Sequence, residues 1–185
     1  MLKDAVRFGV DVVQLRNKFL PTKEMLSLCS GIKQIVKGRA LFIVNDRIDV
    51  ALLAKADGVH LGQDDIPYVQ ARQLMGKNKI IGLSCQTLAQ ARAAKRWGAD
   101  YIGFGSVFKT KTKPERSPMD LRLLRQVWQK VDMSIFPIGG ISQANIDRLT
   151  DLGINRAAVC RDILLAKEPG QAVAGLKTLL DLKEI

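Results

Sequence analysis

An α/β barrel of parallel strands is the fold this sequence predicts, and three observations point to it. Short apolar, β-branched runs alternate with amphipathic stretches from end to end, the pattern of repeated βα units and a parallel sheet. Most of the apolar runs show no polar alternation, so the strands are expected to be buried on both faces. Four segments, FGVDVVQL, KADGVHL, WGADYIGF and LGINRAAV, repeat one joint in which a glycine turn ends a helix and leads into a strand.

The strands are expected at residues 10–15, 40–44, 58–61, 79–84, 100–105, 134–139 and 156–160. Between them lie helical patterns, among them TLAQARAAKRW at 87–97, with Ala91, Ala94 and Trp97 at helical spacing. Thr22, Ser117 and Ser142 stand just ahead of such patterns, where a hydroxyl can cap a helix. Seven strands nearly fill the eight of a (β/α)8 barrel. Residues 1–8 read as the second half of a helix, so residues 1–185 are expected to be one barrel domain that lacks its first strand, with that strand upstream of Met1. A doubly wound sheet is the competing architecture, but the G-x-G-x-x-G turn that marks it follows none of the strands. An open parallel barrel exposes two edges, so self-association into a homo-oligomer is expected.

Composition narrows the function. Hydrophobic residues at 47% and charged residues at 25% are ordinary for a soluble globular domain. No apolar run approaches the roughly 18–20 residues that span a bilayer, and no basic-then-apolar leader opens the chain. Cys29, Cys85 and Cys160 are widely spaced, which predicts a reduced, cytoplasmic protein with small packed thiols. The net charge of +11 invites an anionic partner. With 5% aromatic residues and no run of five like charges, a nucleic acid is not expected, and small phosphorylated ligands fit better.

Barrels of this kind carry their chemistry at the C-terminal ends of the strands. Read in order, those ends hold Gln14-Leu15-Arg16-Asn17-Lys18, Asn45-Asp46, Gln63-Asp64-Asp65, Ser84, the segment from Gly105 to Lys113, Gly139-Gly140, and Cys160-Arg161-Asp162. Carboxylates on neighbouring exits, Asp46 and Asp65, suit one hard cation such as Mg2+ completed by phosphate oxygens and water. Arg16, Lys18 and Lys113 supply cations to the same phosphates. Gly139-Gly140 offers bare backbone to a phosphate, and the last exit would complete such a cup. The plainer reading of each Asp is a helix cap. His60 lies within a strand with no Ser or Cys partner suggested, and reads as a packed, hydrogen-bonded histidine rather than a catalytic one.

These motifs resemble the thiamine phosphate synthase family. QLRNK (14–18), VNDRIDVAL (44–52), ADGVHLGQDD (56–65), IGLS (81–84), GSVFKTKTK (105–113) and IGGI (138–141) follow that family's order and spacing. The resemblance implies a Mg2+-dependent transferase of thiamine biosynthesis. It would join hydroxymethylpyrimidine pyrophosphate to thiazole phosphate through a dissociative, carbocation route, releasing pyrophosphate. It implies pyrophosphate contacts for Arg16, Lys18 and Lys113 with Gln14 beside them, and Mg2+ on Asp46 and Asp65. Asn45 would help hold the pyrimidine pyrophosphate, Ser84 would touch the pyrimidine, and Thr110, Thr112 and Gly140 would hold the thiazole phosphate. Ser106 and Lys109 stand where the family usually has Pro. Cys160-Arg161-Asp162 replaces small uncharged residues, with Arg161 placed to reinforce the phosphate clamp and Asp162 to oppose it. The related thiazole tautomerases share the fold but use a His at the position of Ser106 and lack the acidic pair. Such a tautomerase-like protein, or a degenerate barrel that binds a phosphorylated ligand without turnover, is the alternative.

Overall fold

The computed structural model describes residues 1–111 and 117–181. Six strands form one sheet: β1 (Val12–Leu15), β2 (Leu41–Asn45), β3 (Gly58–Leu61), β4 (Ile80–Cys85), β5 (Tyr101–Phe104) and β6 (Ser134–Pro137). Each pairs in parallel with the next, in the order β1-β2-β3-β4-β5-β6. A doubly wound sheet reverses its order at a switch point, and this one never does. The crossovers therefore all fall on one side, and the sheet curls into a TIM-like half-barrel. Among the described residues β1 pairs only with β2.

Helices fill the crossovers: α1 (Leu2–Arg7), α2 (Thr22–Val36), α3 (Ile48–Leu53), α4 (Tyr68–Met75), α5 (Leu88–Trp97), α6 (Leu121–Lys130), α7 (Asp147–Thr150), α8 (Arg161–Leu164) and α9 (Pro169–Asp181). Helix α5 shows how the sequence sets its own limits. Thr87 caps it by accepting from the Gln90 N–H, and the Gln90 side chain returns the bond to the Thr87 N–H. Gly98, at φ +88°, ends it. Ala91 and Ala94 face inward, whereas Trp97 is exposed. No described helix is long and apolar enough to cross a membrane.

Two faces of the sheet differ, which the apolar runs did not foretell. Side chains alternate along a strand. Phe42, Val44, Val59, Leu61, Ile81, Leu83, Ile102 and Phe104 point out and pack under the helices against Met25, Ala91, Leu124 and Val127. Each such large side chain contributes about 1.5–3 kcal/mol on burial. The opposite, inner face carries Gln14, Asn45, His60, Ser84 and Tyr101, so the polar residues of five strands converge inside the curl.

Three expectations need correction. The run at 156–160 is no strand but a single bridge, Ile138 to Ala158. Its neighbour β6 stops at Pro137, and the positive-φ turn at Gly139-Gly140 leaves little ladder to extend. Of the expected caps, Thr22 is the first residue of α2 and receives an Arg47 guanidinium bond at 2.8 Å, Asp120 rather than Ser117 caps α6, and Ser142 opens a turn ahead of α7. In KADGVHL the left-handed residue is Lys55, not Gly58. Gly58 is needed for space, since a Cβ there would lie 2.2 Å from the Ile80 carbonyl oxygen. At the other end of the chain, α9 packs on α1: Lys177 Nζ donates to the Gly9 carbonyl at 2.9 Å and stands 3.3 Å from Asp11.

Candidate active site at the strand exits

The two acidic exits meet. The Asp46 N–H donates to the His60 carbonyl at 2.8 Å, which carries the β2–β3 ladder one residue past β2 with Asp46 at φ +64°. Asp65, in the loop after β3, accepts from the Gly62 N–H at 2.6 Å and is thereby folded back over the exit. The Asp46 and Asp65 carboxyls are close enough to act on each other. Partial burial pushes the Asp46 carboxyl above its ordinary pKa, the Asp65 carboxyl raises it further, and Lys18 opposes the rise. Lys18 Nζ stands 3.5 Å from Asp46 Oδ2. Neither Asp serves as the N-cap of the helix that follows, for Arg47 precedes α3 and Pro67 precedes α4. Two crowded carboxyls beside one ammonium fit a divalent cation that finishes its shell with ligand oxygens and water. Among the described residues no cluster of three or more His, Cys, Asp or Glu offers a ready-made cage.

The β1 exit is shaped by Asn17, whose side-chain oxygen accepts from the Phe19 and Leu20 N–H groups at 2.9 Å each. That turn brings Lys18 to Asp46, and leaves Arg16 exposed on the same exit. Thr112 and Lys113 lie outside the described residues.

Behind the acidic pair, the inner face holds a chain of hydrogen bonds. Asn45, 8% exposed, is in register with His60. His60, 7% exposed, lies 3.0 Å by Nδ1 from the Tyr101 hydroxyl and 2.9 Å by Nε2 from Ser84 Oγ. Burial pushes the Tyr101 phenol well above its ordinary pKa, and Gln14 on β1 is near enough to oppose the rise. Gln63 Nε2 donates to the Ser84 carbonyl at 2.6 Å. His60 is thus buried and hydrogen-bonded as its sequence context suggests, but it does have a serine partner. The readable signal was Gly82 and Gly103 within strands, which mark close approach: a Cβ on Gly82 would meet Tyr101 Cζ at 2.1 Å, and one on Gly103 would meet His60 Cε1 at 3.2 Å.

The glycine turn lies against the loop after β5. The Phe108 N–H donates to the Gly139 carbonyl at 2.9 Å, and a Cβ on Gly140, which sits at φ +64°, would fall 2.4 Å from the Lys109 carbonyl oxygen. Thr110 is therefore next to the turn. Ser106 is buried, with its hydroxyl given to the Phe108 carbonyl at 2.9 Å. Asn145 braces the turn from behind, donating from Nδ2 to the Gly140 carbonyl and accepting from the Ser142 N–H, both at 2.9 Å. Asp162 Oδ2 accepts from the Gln143 N–H at 3.0 Å, so that donor is taken by the chain's own carboxylate. Arg161 and Asp162 line a shallow concavity of about 540 Å3 with Gln143 and Leu165, apart from the acidic pair. Cys85 is packed and its thiol is pushed up to about 12 by burial, whereas Cys160 is exposed and not a core residue.

Comparison with known proteins completes the picture. The family model for thiamine monophosphate synthase matches residues 1–163. A thiamine-phosphate synthase of Clostridioides difficile is 42% identical over 173 residues, covering 93% of this chain and 82% of that protein. One from Gloeobacter violaceus is 41% identical over 175 residues, 94% of this chain, and the chain spans 51% of that longer protein. A solved thiamine phosphate pyrophosphorylase of Pyrococcus furiosus superposes with a TM-score of 0.91 at 34% identity, covering 100% of this chain and 89% of that one.

Proposed function

This chain belongs to the thiamine monophosphate synthase family, and from that premise we propose that it joins hydroxymethylpyrimidine pyrophosphate to thiazole phosphate, forming thiamine phosphate and releasing pyrophosphate. The observation that carries the reading is the meeting of Asp46 and Asp65 beside Lys18 at adjacent strand exits. A phosphorylated substrate brings several negative charges to a place that already holds two, so the site needs cations.

In this reading Asp46 and Asp65 hold Mg2+, which when bound neutralises diphosphate oxygens and stabilises pyrophosphate as it leaves. Arg16, Lys18 and Lys113 bind the same group, with Gln14 beside them. The C–O bond to pyrophosphate breaks with its electron pair, and the thiazole nitrogen's lone pair captures the pyrimidine cation. Asn45 helps hold the pyrimidine pyrophosphate and Ser84 touches the pyrimidine from the inner face. Thr110, Thr112 and Gly140 hold the thiazole phosphate, with Arg161 adding charge at the rim. The frame is read as a single (β/α)8 barrel domain, and its consecutive parallel order supports that reading.

The test is direct. The purified chain is incubated with both substrates and Mg2+, and thiamine phosphate is sought by chromatography, with Asp65→Ala as control. Product that disappears in the variant supports the synthase. No product from folded protein overturns it, and magnesium-dependent ligand binding without turnover would then favour the degenerate barrel.

A further inference from the structure

Resting on the synthase reading for the identity of the ligand, we propose that His60 is a positioning residue: oriented by Tyr101, it makes Ser84 a hydrogen-bond donor to the pyrimidine ring. The inference concerns direction. A serine hydroxyl both donates and accepts, so its role depends on what its inner partner offers.

The chain of contacts fixes that. Burial keeps the Tyr101 phenol protonated, pushing it well above its usual pKa, and a proton held there needs an acceptor. The phenol proton is then directed to His60 Nδ1, 3.0 Å away. With Nδ1 accepting, a neutral imidazole carries its own proton on Nε2 and donates it to Ser84 Oγ at 2.9 Å. Ser84 Oγ then accepts from the imidazole, and its own proton is turned outward to a ligand. A donor of that kind pairs with an aromatic ring nitrogen and not with an exocyclic amino group.

The sheet is built to allow this relay. His60, Gly82 and Tyr101 are level in register across β3, β4 and β5. Gly82, between two rings, leaves the room in which Tyr101 leans toward His60, with ring centroids 5.4 Å apart. Phe136 closes the far side edge-on at 5.5 Å. Gly103, level with Ser84, leaves room for the imidazole. Gln63 fixes the Ser84 backbone by donating to its carbonyl, so the residue is held at its main chain as well as at its hydroxyl.

His60 is the chain's single histidine, so 15N spectra of the full chain labelled in histidine report this ring alone. The expected state is the Nε2–H tautomer; the Nδ1–H tautomer overturns the proposal. This readout needs no ligand, and so separates failure here from failure of the synthase reading. In kinetics, Tyr101→Phe is expected to raise KM for the pyrimidine pyrophosphate about three- to tenfold, leaving KM for the thiazole phosphate unchanged. In a Ser84→Ala background the same change should add nothing, because the relay acts through that hydroxyl. His60→Gln, which keeps an amide N–H, should retain more affinity than His60→Leu. Additive losses, equal shifts in both KM values, or a glutamine no better than leucine overturn the relay. If the parent chain makes no product, the same cycle is read by calorimetry with the pyrimidine pyrophosphate. Absence of any binding by the parent chain also counts against the relay.

Discussion

Lys18 Nζ lies 3.5 Å from Asp46 Oδ2, a pair formed across the exits of the first two strands. The ammonium is half-exposed, so the pair itself adds little stability. In the proposed reading its value is as a charge held ready for the diphosphate. Lys18→Met is expected to raise KM for the pyrimidine pyrophosphate about tenfold or more while leaving Mg2+ affinity undiminished, because it removes a competitor of the metal. Steady-state kinetics with metal titration by calorimetry checks both halves; a weakened Mg2+ affinity contradicts the assignment.

Crowding of Asp46 against Asp65 makes a thermal signature. Without metal the two carboxyls repel, so Asp46→Asn is expected to hold or raise the melting temperature, by up to about 3 °C. With Mg2+ the parent chain should gain stability by mass action and the variant should not. The sign with pH follows from the raised folded pKa of Asp46. The native state takes up a proton before the unfolded chain does, so this residue's contribution becomes more favourable as pH falls through the folded value and less favourable as pH rises through it. Metal binding runs the other way and should weaken on acidification before an ordinary carboxylate would titrate. Melting curves of the parent chain and Asp46→Asn between pH 5 and 8, with and without Mg2+, read all three effects.

Gly140 is expected to tolerate no side chain. Alanine there faces a positive φ and a backbone oxygen 2.4 Å from its Cβ, and should cost about 1–3 kcal/mol. Denaturant unfolding measures the loss. The rise in KM should fall on the thiazole phosphate, since the displaced segment is the one that carries Thr110.

Asp162 spends its carboxylate on the Gln143 N–H beside the glycine turn. Asp162→Asn keeps an acceptor there and removes the charge, so KM for the thiazole phosphate is expected to fall about threefold, with KM for the pyrimidine pyrophosphate constant. Arg161→Ala should move the first value in the opposite direction. Substrate titrations of both variants decide it.

The β1 edge gives the fifth expectation. Among the described residues it pairs on one side only, and an uncovered edge invites another strand. Sedimentation of the 185-residue chain over a range of concentrations should reveal association. A stable monomer throughout rejects it.

Residue types at strand exits made the acidic pair legible, because a helix cap explains either Asp alone more readily than both on neighbouring exits. Parallel order was legible from alternation and from the recurring joint. The inner-face network was not. His60 and Ser84 are 24 positions apart, and His60 and Tyr101 are 41, so their meeting depends on register, which a single sequence leaves open. Lys55 in place of Gly58 as the left-handed residue was hidden for a similar reason: the glycine is explained by what packs on it, not by its own φ. The run at 156–160 misled because small apolar residues satisfy a strand pattern without enough partner backbone to pair.

Gly82 has a consequence for how variation in this chain would be interpreted. A methyl group at that position touches no ligand and alters no charge, yet it would wedge apart the imidazole and the phenol on either side. On the relay proposed above, the resulting protein would fold and keep its acidic pair, while its serine hydroxyl lost the partner that aims it. A mutational survey scored only by abundance would pass such a variant as benign. The polarity of this pocket is therefore written in part by an atom that is not there.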